Sequence, residues 1–184
     1  MSANATLAEI ADVLRTKQRF AVISHIRPDG DALGCTIAMG LCLRALGKDV
    51  QMWNDDGCVE RFRFLPGSEF VTQPPAEPQD FDAVIILDTA VKERGGRSVR
   101  AVRSAGVWVN LDHHVSNPRY GDLNFIDTTS PATGQVLFEL FRGENLPLTY
   151  AMADSLYVAI STDTGSFQYP NTTARTYEIG RAHV

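Results

Sequence analysis

Acids and imidazoles recur in this sequence directly after short apolar runs. Arg19–Ser24 (RFAVIS) is followed by His25, Asp29 and Asp31. Phe81–Leu87 (FDAVIIL) is followed by Asp88, and Val107–Leu111 (VWVNL) by Asp112, His113 and His114. The segment YVAIST runs into Asp163. Short apolar runs between polar loops read as buried parallel strands, and open α/β sheets bind ligands at the carboxyl ends of their strands. The pattern therefore gathers these groups on one sheet edge. Crowded carboxylates raise one another's pKa, and cations are the usual remedy. Asp oxygens mixed with His nitrogens, without Cys, suit Mn²⁺, Fe²⁺, Co²⁺ or Zn²⁺, whereas an all-oxygen set suits Mg²⁺ or Ca²⁺. The donors exceed the needs of one ion. Two ions about 3.5–4 Å apart would use them, making a nucleophile at neutral pH and neutralising a phosphoryl oxygen.

The elements that position these groups follow from periodicity and punctuation. A first amphipathic helix is expected over Leu7–Lys17. A long, largely buried helix is expected over Ala32–Leu46, stopped by Gly47, and a second strand over Asp49–Trp53. The turn-rich stretch 54–80 leaves room for a short helix near Glu60–Leu65. Arg97–Ala105 reads as a helix ended by Gly106, and Leu123–Ile126 as a short extended piece. Ser130 and Pro131 suit the N-cap and first position of a helix to about Phe141. A further helix is expected over Thr149–Thr162, and a polar one from Thr173. Alternating strands and helices give an α/β fold: a mostly parallel β-sheet flanked by helices on both faces.

The 184 residues suit one domain, and the 44% hydrophobic content provides an ample core. No apolar run approaches the ~18 residues of a membrane span. The net charge of −5 excludes a basic nucleic-acid-coating surface; an acidic chain can still take a phosphate ester through bound cations. Cys35, Cys42 and Cys58 lack CxxC spacing and read as reduced thiols; with no secretory signal at the N-terminus, the expected location is cytoplasmic.

Taken in order, SHIRPDGDALG, VIILDTA, NLDHHVSN and STDTGSFQYPNTT resemble the four motifs of the DHH phosphoesterase family, with the triplet at Asp112-His113-His114. The likeness is closest to the bifunctional oligoribonuclease and 3′-phosphoadenosine 5′-phosphate (PAP) phosphatase branch. It implies two Mn²⁺ ions, with Mg²⁺, Co²⁺ or Zn²⁺ as alternatives. His25, Asp29 and Asp88 would hold one ion, and Asp31, Asp88, His113 and Asp163 the other. Asp88 would bridge them, and the bridging hydroxide would attack phosphorus. His114 would face the substrate phosphate as donor or leaving-group acid, and Asp112 would orient the histidines. Ser116 and Asn117 would contact phosphate or brace the loop.

The implied substrate is a small nucleotide or short single-stranded oligonucleotide, and the implied partners include a second copy of the chain. The resemblance also implies a smaller C-terminal substrate-binding domain with a glycine-rich motif, which these residues do not contain. Residues 1–184 are thus read as a catalytic domain ending in a truncated, linker-like helix. Gln168 stands where many relatives carry a basic residue.

Plainer readings stand beside these. PDGD suits a tight turn, and Asp31 or Asp88 could cap helices. Arg94, Arg97, Arg100 and Arg103 suit a solvated helix face. Free N–H groups at SPATG could receive an anion, although plain capping is the simpler reading. Phe167 and Tyr169 could stack on a base, and His183 is incidental. The alternatives for function are a manganese-dependent inorganic pyrophosphatase or exopolyphosphatase, and a nucleotide-binding module without turnover.

Overall fold

The computed structural model describes residues 4–183, with side chains through residue 179. Strands β1 (Arg19–Ser24), β2 (Asp49–Trp53), β3 (Val71–Thr72), β4 (Gln79–Leu87), β5 (Val102–Asp112) and β6 (Leu123–Ile126) form one sheet in the order β3-β2-β1-β4-β5-β6. Every pairing is parallel. The chain builds outward from β1 in one direction and from β4 in the other. Between these two strands the connections diverge, opening a crevice at their carboxyl ends. Ser24 pairs with Leu87 there, and Leu87 with Leu111, so the residues that follow each strand start from one level.

One face of the sheet carries α1 (Leu7–Thr16), α2 (Gly30–Ala45), α4 (Thr133–Gly143) and α5 (Tyr150–Asp163). The other carries little: α3 (Gly96–Arg100) and a 3₁₀ turn at Lys92–Gly95, set against Ile23 and Ile86. The helices form for local reasons. Thr6 and Glu9 make a reciprocal capping box at the start of α1, whose Ile10, Ala11, Val13 and Leu14 face the core. Almost all of α2 is buried, as an apolar helix between a sheet and other helices must be.

Several boundaries differ from expectation. Helix α2 starts at Gly30 with Asp29 as its N-cap, so Asp31 is inside the helix and does not cap it. The helix expected over Arg97–Ala105 is only α3, and β5 begins at Val102 and runs through Gly106. Pairing with β4 overrides the local pattern. Asp80 on β4 accepts hydrogen bonds from Arg103 and Ser104, and a Cβ on Gly106 would lie 2.8 Å from the Asp82 carbonyl oxygen. Arg94, Arg97, Arg100 and Arg103 therefore share no helix face. Helix α4 starts at Thr133 after Ala132, two residues beyond the expected cap at Ser130. The final segment, Thr176–His183, is a 3₁₀ helix. The side chain of His183 lies outside the described residues.

Helices α2 and α5 approach closely. A Cβ on Gly34 would fall 2.4 Å from the Ser155 carbonyl oxygen and 3.0 Å from the Ala159 side chain. Backbone atoms cannot yield alone, so Gly34→Ala should cost about 1–3 kcal/mol through overpacking, against about 1 kcal/mol of gained helix propensity. Urea unfolding should show a net loss of stability; a gain would show that the helices separate freely.

Candidate metal centre and active site

The carboxyl ends of β1, β4 and β5 and the C-terminus of α5 bring His25, Asp29, Asp31, Asp88, Asp112, His113, His114 and Asp163 together. Asp88 is central. It follows β4, is buried, and holds a left-handed backbone (φ 49°) that is uncommon for a residue other than glycine. Its two oxygens face different partners. Oδ2 lies 3.4 Å from His25 Nε2, and Oδ1 lies 3.6 Å from His113 Nε2 and accepts a hydrogen bond from Thr133 Oγ1 at 3.1 Å. On the first side, His25 Nε2 is also 3.7 Å from Asp29 Oδ2. On the second, His113 Nε2 is 3.4 Å from Asp163 Oδ2 and 3.9 Å from Asp31 Oδ2. Three overlapping donor groups result: His25, Asp29 and Asp88; Asp31, His113 and Asp163; and Asp88, Asp112, His113 and His114.

The donor set fits a divalent cation on its own terms. His113 Nε2 is buried without a hydrogen-bond partner among the described residues, and it is aimed at three carboxylates. An imidazole nitrogen in that setting is left for a metal. His25 Nδ1 lies 2.8 Å from the Ile26 carbonyl oxygen, an arrangement that presents Nε2 as the ligating atom.

Asp31 is fully buried, and its charge is met by a helix end. The N–H groups of Thr133 and Gly134, at the start of α4, donate to Oδ2 and Oδ1 at 2.6 and 2.8 Å. The Cys35 thiol donates to Oδ1 at 3.2 Å. The anion received at SPATG is thus a carboxylate of the chain itself. Asp29 caps α2 by accepting the Ala32 N–H at 3.0 Å while its other oxygen faces His25.

Asp112 is buried behind the triplet. Its Oδ1 accepts hydrogen bonds from the His113 N–H (2.8 Å), the His114 N–H (3.3 Å) and His114 Nδ1 (2.7 Å). Its Oδ2 accepts from Asn117 Nδ2 at 2.6 Å. Asn117 Nδ2 also meets Asn110 Oδ1, and Asn117 Oδ1 accepts the Arg119 N–H. Of the two readings of Asn117, bracing is the one these contacts fit. Ser116 is exposed beside it.

The acids perturb one another. Burial, then the charges of Asp88 and Asp163, push Asp31 well above the usual carboxylate range. Burial, then Asp88 and Asp29, push Asp163 up to about 7. Burial opposes protonation of His25, but hydrogen bonds to Asp29, Asp88 and Ile26 outweigh it and hold the imidazole at about 10. Burial likewise opposes ionisation of Asp29, yet His25 and the Ala32 N–H bring it down to about 2. Asp112 is held below its ordinary value by His114 and Asn117 against its burial. The Asp112 hydrogen bond raises His114.

Sequence reasoning passed over several supporting residues. Asn54 Nδ2 donates to Ser24 Oγ and the His25 carbonyl, tying the end of β1 to the end of β2. Asn110 sits buried within an apolar strand, and that misfit was its available signal. Thr133 and Gly134 carried none beyond the helix-start pattern. Phe167 packs between Tyr157 and Tyr177, with ring centroids 5.5 and 5.6 Å away, which leaves Tyr169 as the exposed aromatic of that loop.

Residues 19–160 match the DHH family, N-terminal domain. The chain belongs to the DHH family. The DHH triplet is the Asp112-His113-His114 segment described above. A bifunctional oligoribonuclease and PAP phosphatase NrnA of Thermus thermophilus is 33% identical over 172 residues, covering 92% of this chain and 51% of the relative. A protein of the same name from Bacillus subtilis is 29% identical, covering 83% of this chain and 48% of the relative. The chain thus spans about half the length of these curated relatives. An exopolyphosphatase-related protein of Bacteroides fragilis superposes with a TM-score of 0.84 at 19% identity, covering 96% of this chain and 55% of that one, a likeness of fold. Among the described residues, no helix is long and apolar enough to cross a membrane.

The raised acids and His25 hold protons at neutral pH that a cation must displace. Mn²⁺ added to the metal-free DHH chain in weak buffer at pH 7 should release roughly one proton or more per chain, and its affinity should rise with pH. Asp163 also links the metal-free fold to pH. Its pKa is raised on folding, so its contribution to stability is full below about pH 4 and is lost as pH rises through about 7. Calorimetry in buffers of different ionisation enthalpy reads the release; saturable heat that is the same in every buffer would show that these groups carry no proton before the cation binds.

Proposed function

We propose that this DHH chain is the metal-dependent catalytic unit of a phosphoesterase acting on PAP and on short oligoribonucleotides or dinucleotides. The observation that carries the reading is Asp88, whose Oδ2 faces His25 and whose Oδ1 faces His113 and His114. Family membership and the names of the relatives add the substrate class. His25, Asp29 and Asp88 would hold one divalent ion, and Asp31, Asp88, His113 and Asp163 a second, Mn²⁺ being the first candidate. Such a pair supplies charge neutralisation at the phosphoryl oxygens and a nucleophile at neutral pH.

The residues of the chain supply positioning and a proton. Asp112 accepts from His114 Nδ1 and so leaves Nε2 for the substrate. The same hydrogen bond favours the protonated imidazole, which suits His114 to donate to a phosphate oxygen or to the leaving group. Asn117 and Asn110 keep Asp112 oriented from behind, and Thr133 restrains Asp88 on the side facing His113.

The test offers the purified chain, and any longer product of the same gene, PAP, linear diadenylate, cyclic di-AMP and pyrophosphate with Mn²⁺. Release of phosphate or mononucleotide from PAP or diadenylate is expected, and Asp88→Asn should abolish both turnover and metal uptake. Pyrophosphate turnover alone would replace this reading with the pyrophosphatase one; nucleotide binding without turnover would replace it with the binding-module one. Asp112→Asn should lower kcat by about 10- to 100-fold, as loss of a supporting hydrogen bond does. It should also move the alkaline limb of the pH profile to lower pH, because His114 then loses its proton earlier. An unmoved limb would remove His114 as the donor.

A further inference from the structure

Three surface grooves near polar chain segments differ in what their charged groups are free to do. A groove of about 520 Å³ at the amino-terminal edge of the sheet contains Arg19 and Arg103, but these pair with Asp49 and Asp80. A groove of about 510 Å³ around Cys58 and Ser68 holds Arg63, which is paired with Glu60 at 2.6 Å. A third, also about 510 Å³, is lined by Arg27, Pro28, Asp56, Val59, Glu60 and Arg61. Arg27 and Pro28 are the two residues before Asp29, so this groove adjoins the metal centre along the same loop.

We propose that the third groove is a phosphate subsite, which binds a phosphate of the nucleotide other than the one being hydrolysed. This rests on the phosphoesterase reading above. Arg27 is exposed, and among the described residues its guanidinium has no hydrogen-bond or ion-pair partner. Its backbone is fixed in a left-handed conformation (φ 55°), with its N–H donating to Asp56 Oδ2 at 2.7 Å. An unpaired cation is thus held on a constrained main chain at the rim of an acidic site. Arg61 is ordered from the other side, its guanidinium 4.7 Å from the Phe62 ring centre and 3.4 Å from the Pro28 carbonyl oxygen.

Of the two acids in the groove, Glu60 is paired with Arg63, and Asp56 is tied to the main chain through the Arg27 N–H and keeps its charge against the two guanidiniums. The Arg27 and Arg61 guanidiniums line one groove with the half-buried Val59, which matches a phosphate carried on a sugar, with charged contacts for the oxygens and an apolar contact for the ribose. The subsite would favour a nucleoside bisphosphate, or a dinucleotide with a terminal phosphate, over a nucleoside monophosphate.

The experiment has two arms. In Mn²⁺, KM values for PAP, 3′-AMP and 5′-AMP are compared between the unmodified chain and Arg27→Gln. Loss of a charge-assisted contact predicts a PAP KM raised about 10- to 100-fold, which removes most of the preference for the bisphosphate; Arg27→Lys should recover part of it. In EDTA, 5′-AMP is titrated into the isotope-labelled chain. Shifts at the Arg27 guanidinium and the Val59 methyls, saturating in the millimolar range, are expected. Turnover of PAP with an unchanged KM in Arg27→Gln overturns the subsite whatever the spectra show. If no substrate turns over, the spectra decide: shifts at Arg27 and Val59 keep the subsite while the phosphoesterase reading falls, and their absence removes both.

Discussion

A buried carboxylate on a helix end is the interaction on which the rest of this site depends. Asp31 has no solvent exposure, yet both of its oxygens are bonded to the first N–H groups of α4. A carboxylate in such a place is tolerated only where donors and a favourable field replace water, and a helix N-terminus provides both. The interaction also sets geometry. It pins the start of α4 against α2, and α4 carries Thr133 to Asp88. The approach needs small residues where helices meet. A Cβ on Gly134 would lie 2.7 Å from Ala159 and 3.3 Å from Asp31 Oδ1. Gly134 and Gly34 thus serve the chemistry indirectly, by letting α4 and α2 close on α5, whose last residue is Asp163.

The acids divide into those satisfied by the protein and those that are not. Asp112 receives hydrogen bonds on both oxygens and is stabilised as an anion. Asp29 is stabilised by His25 and the α2 N-terminus. Asp31 and Asp163, by contrast, are driven towards protonation by burial and by their neighbours, even with the α4 end in place. The fold has therefore assembled more negative charge around Asp88 than its own donors can balance. Such an imbalance carries a free-energy cost that a structural ion-pair network does not need, and a divalent cation relieves it directly.

The architecture and the membership of the cluster were legible because they are local. A buried strand announces itself by an apolar run, and the residue after it takes its position from the strand. Hence His25, Asp88 and Asp112 could be placed on one edge without coordinates. What was hidden depends on residues distant in sequence. The N–H groups of residues 133 and 134 reach Asp31 across about a hundred positions, and a helix-start pattern does not specify its anion. The start of β5 was misread for the same reason. The stretch 101–106 has no strong strand signature of its own, and β4 recruits it through Asp80 and the close approach at Gly106. Asn117 reads from sequence as a brace or a phosphate contact, and the partners that its amide takes at both ends, Asp112, Asn110 and the Arg119 N–H, are distant or local groups that a loop pattern does not specify.

Charge also orders events at the site. A phosphate ester is an anion, and the cluster of carboxylates keeps it out of the metal centre itself until cations have bound. The neighbouring arginines are not spent on neutralising the cluster. Among the described residues the Arg27 guanidinium has no acidic partner, and Arg61 contacts the Pro28 carbonyl and the Phe62 ring. Were these arginines paired to Asp29 or Asp163, the cluster would be balanced without metal and the rim would have nothing left to offer a phosphate. Arg94 reaches in, its Nη2 3.2 Å from His25 Nδ1 and so on the side of the ring away from the carboxylates; the carboxylates are left for divalent ions, and Arg27 and Arg61 stay at the edge where a nucleotide would enter.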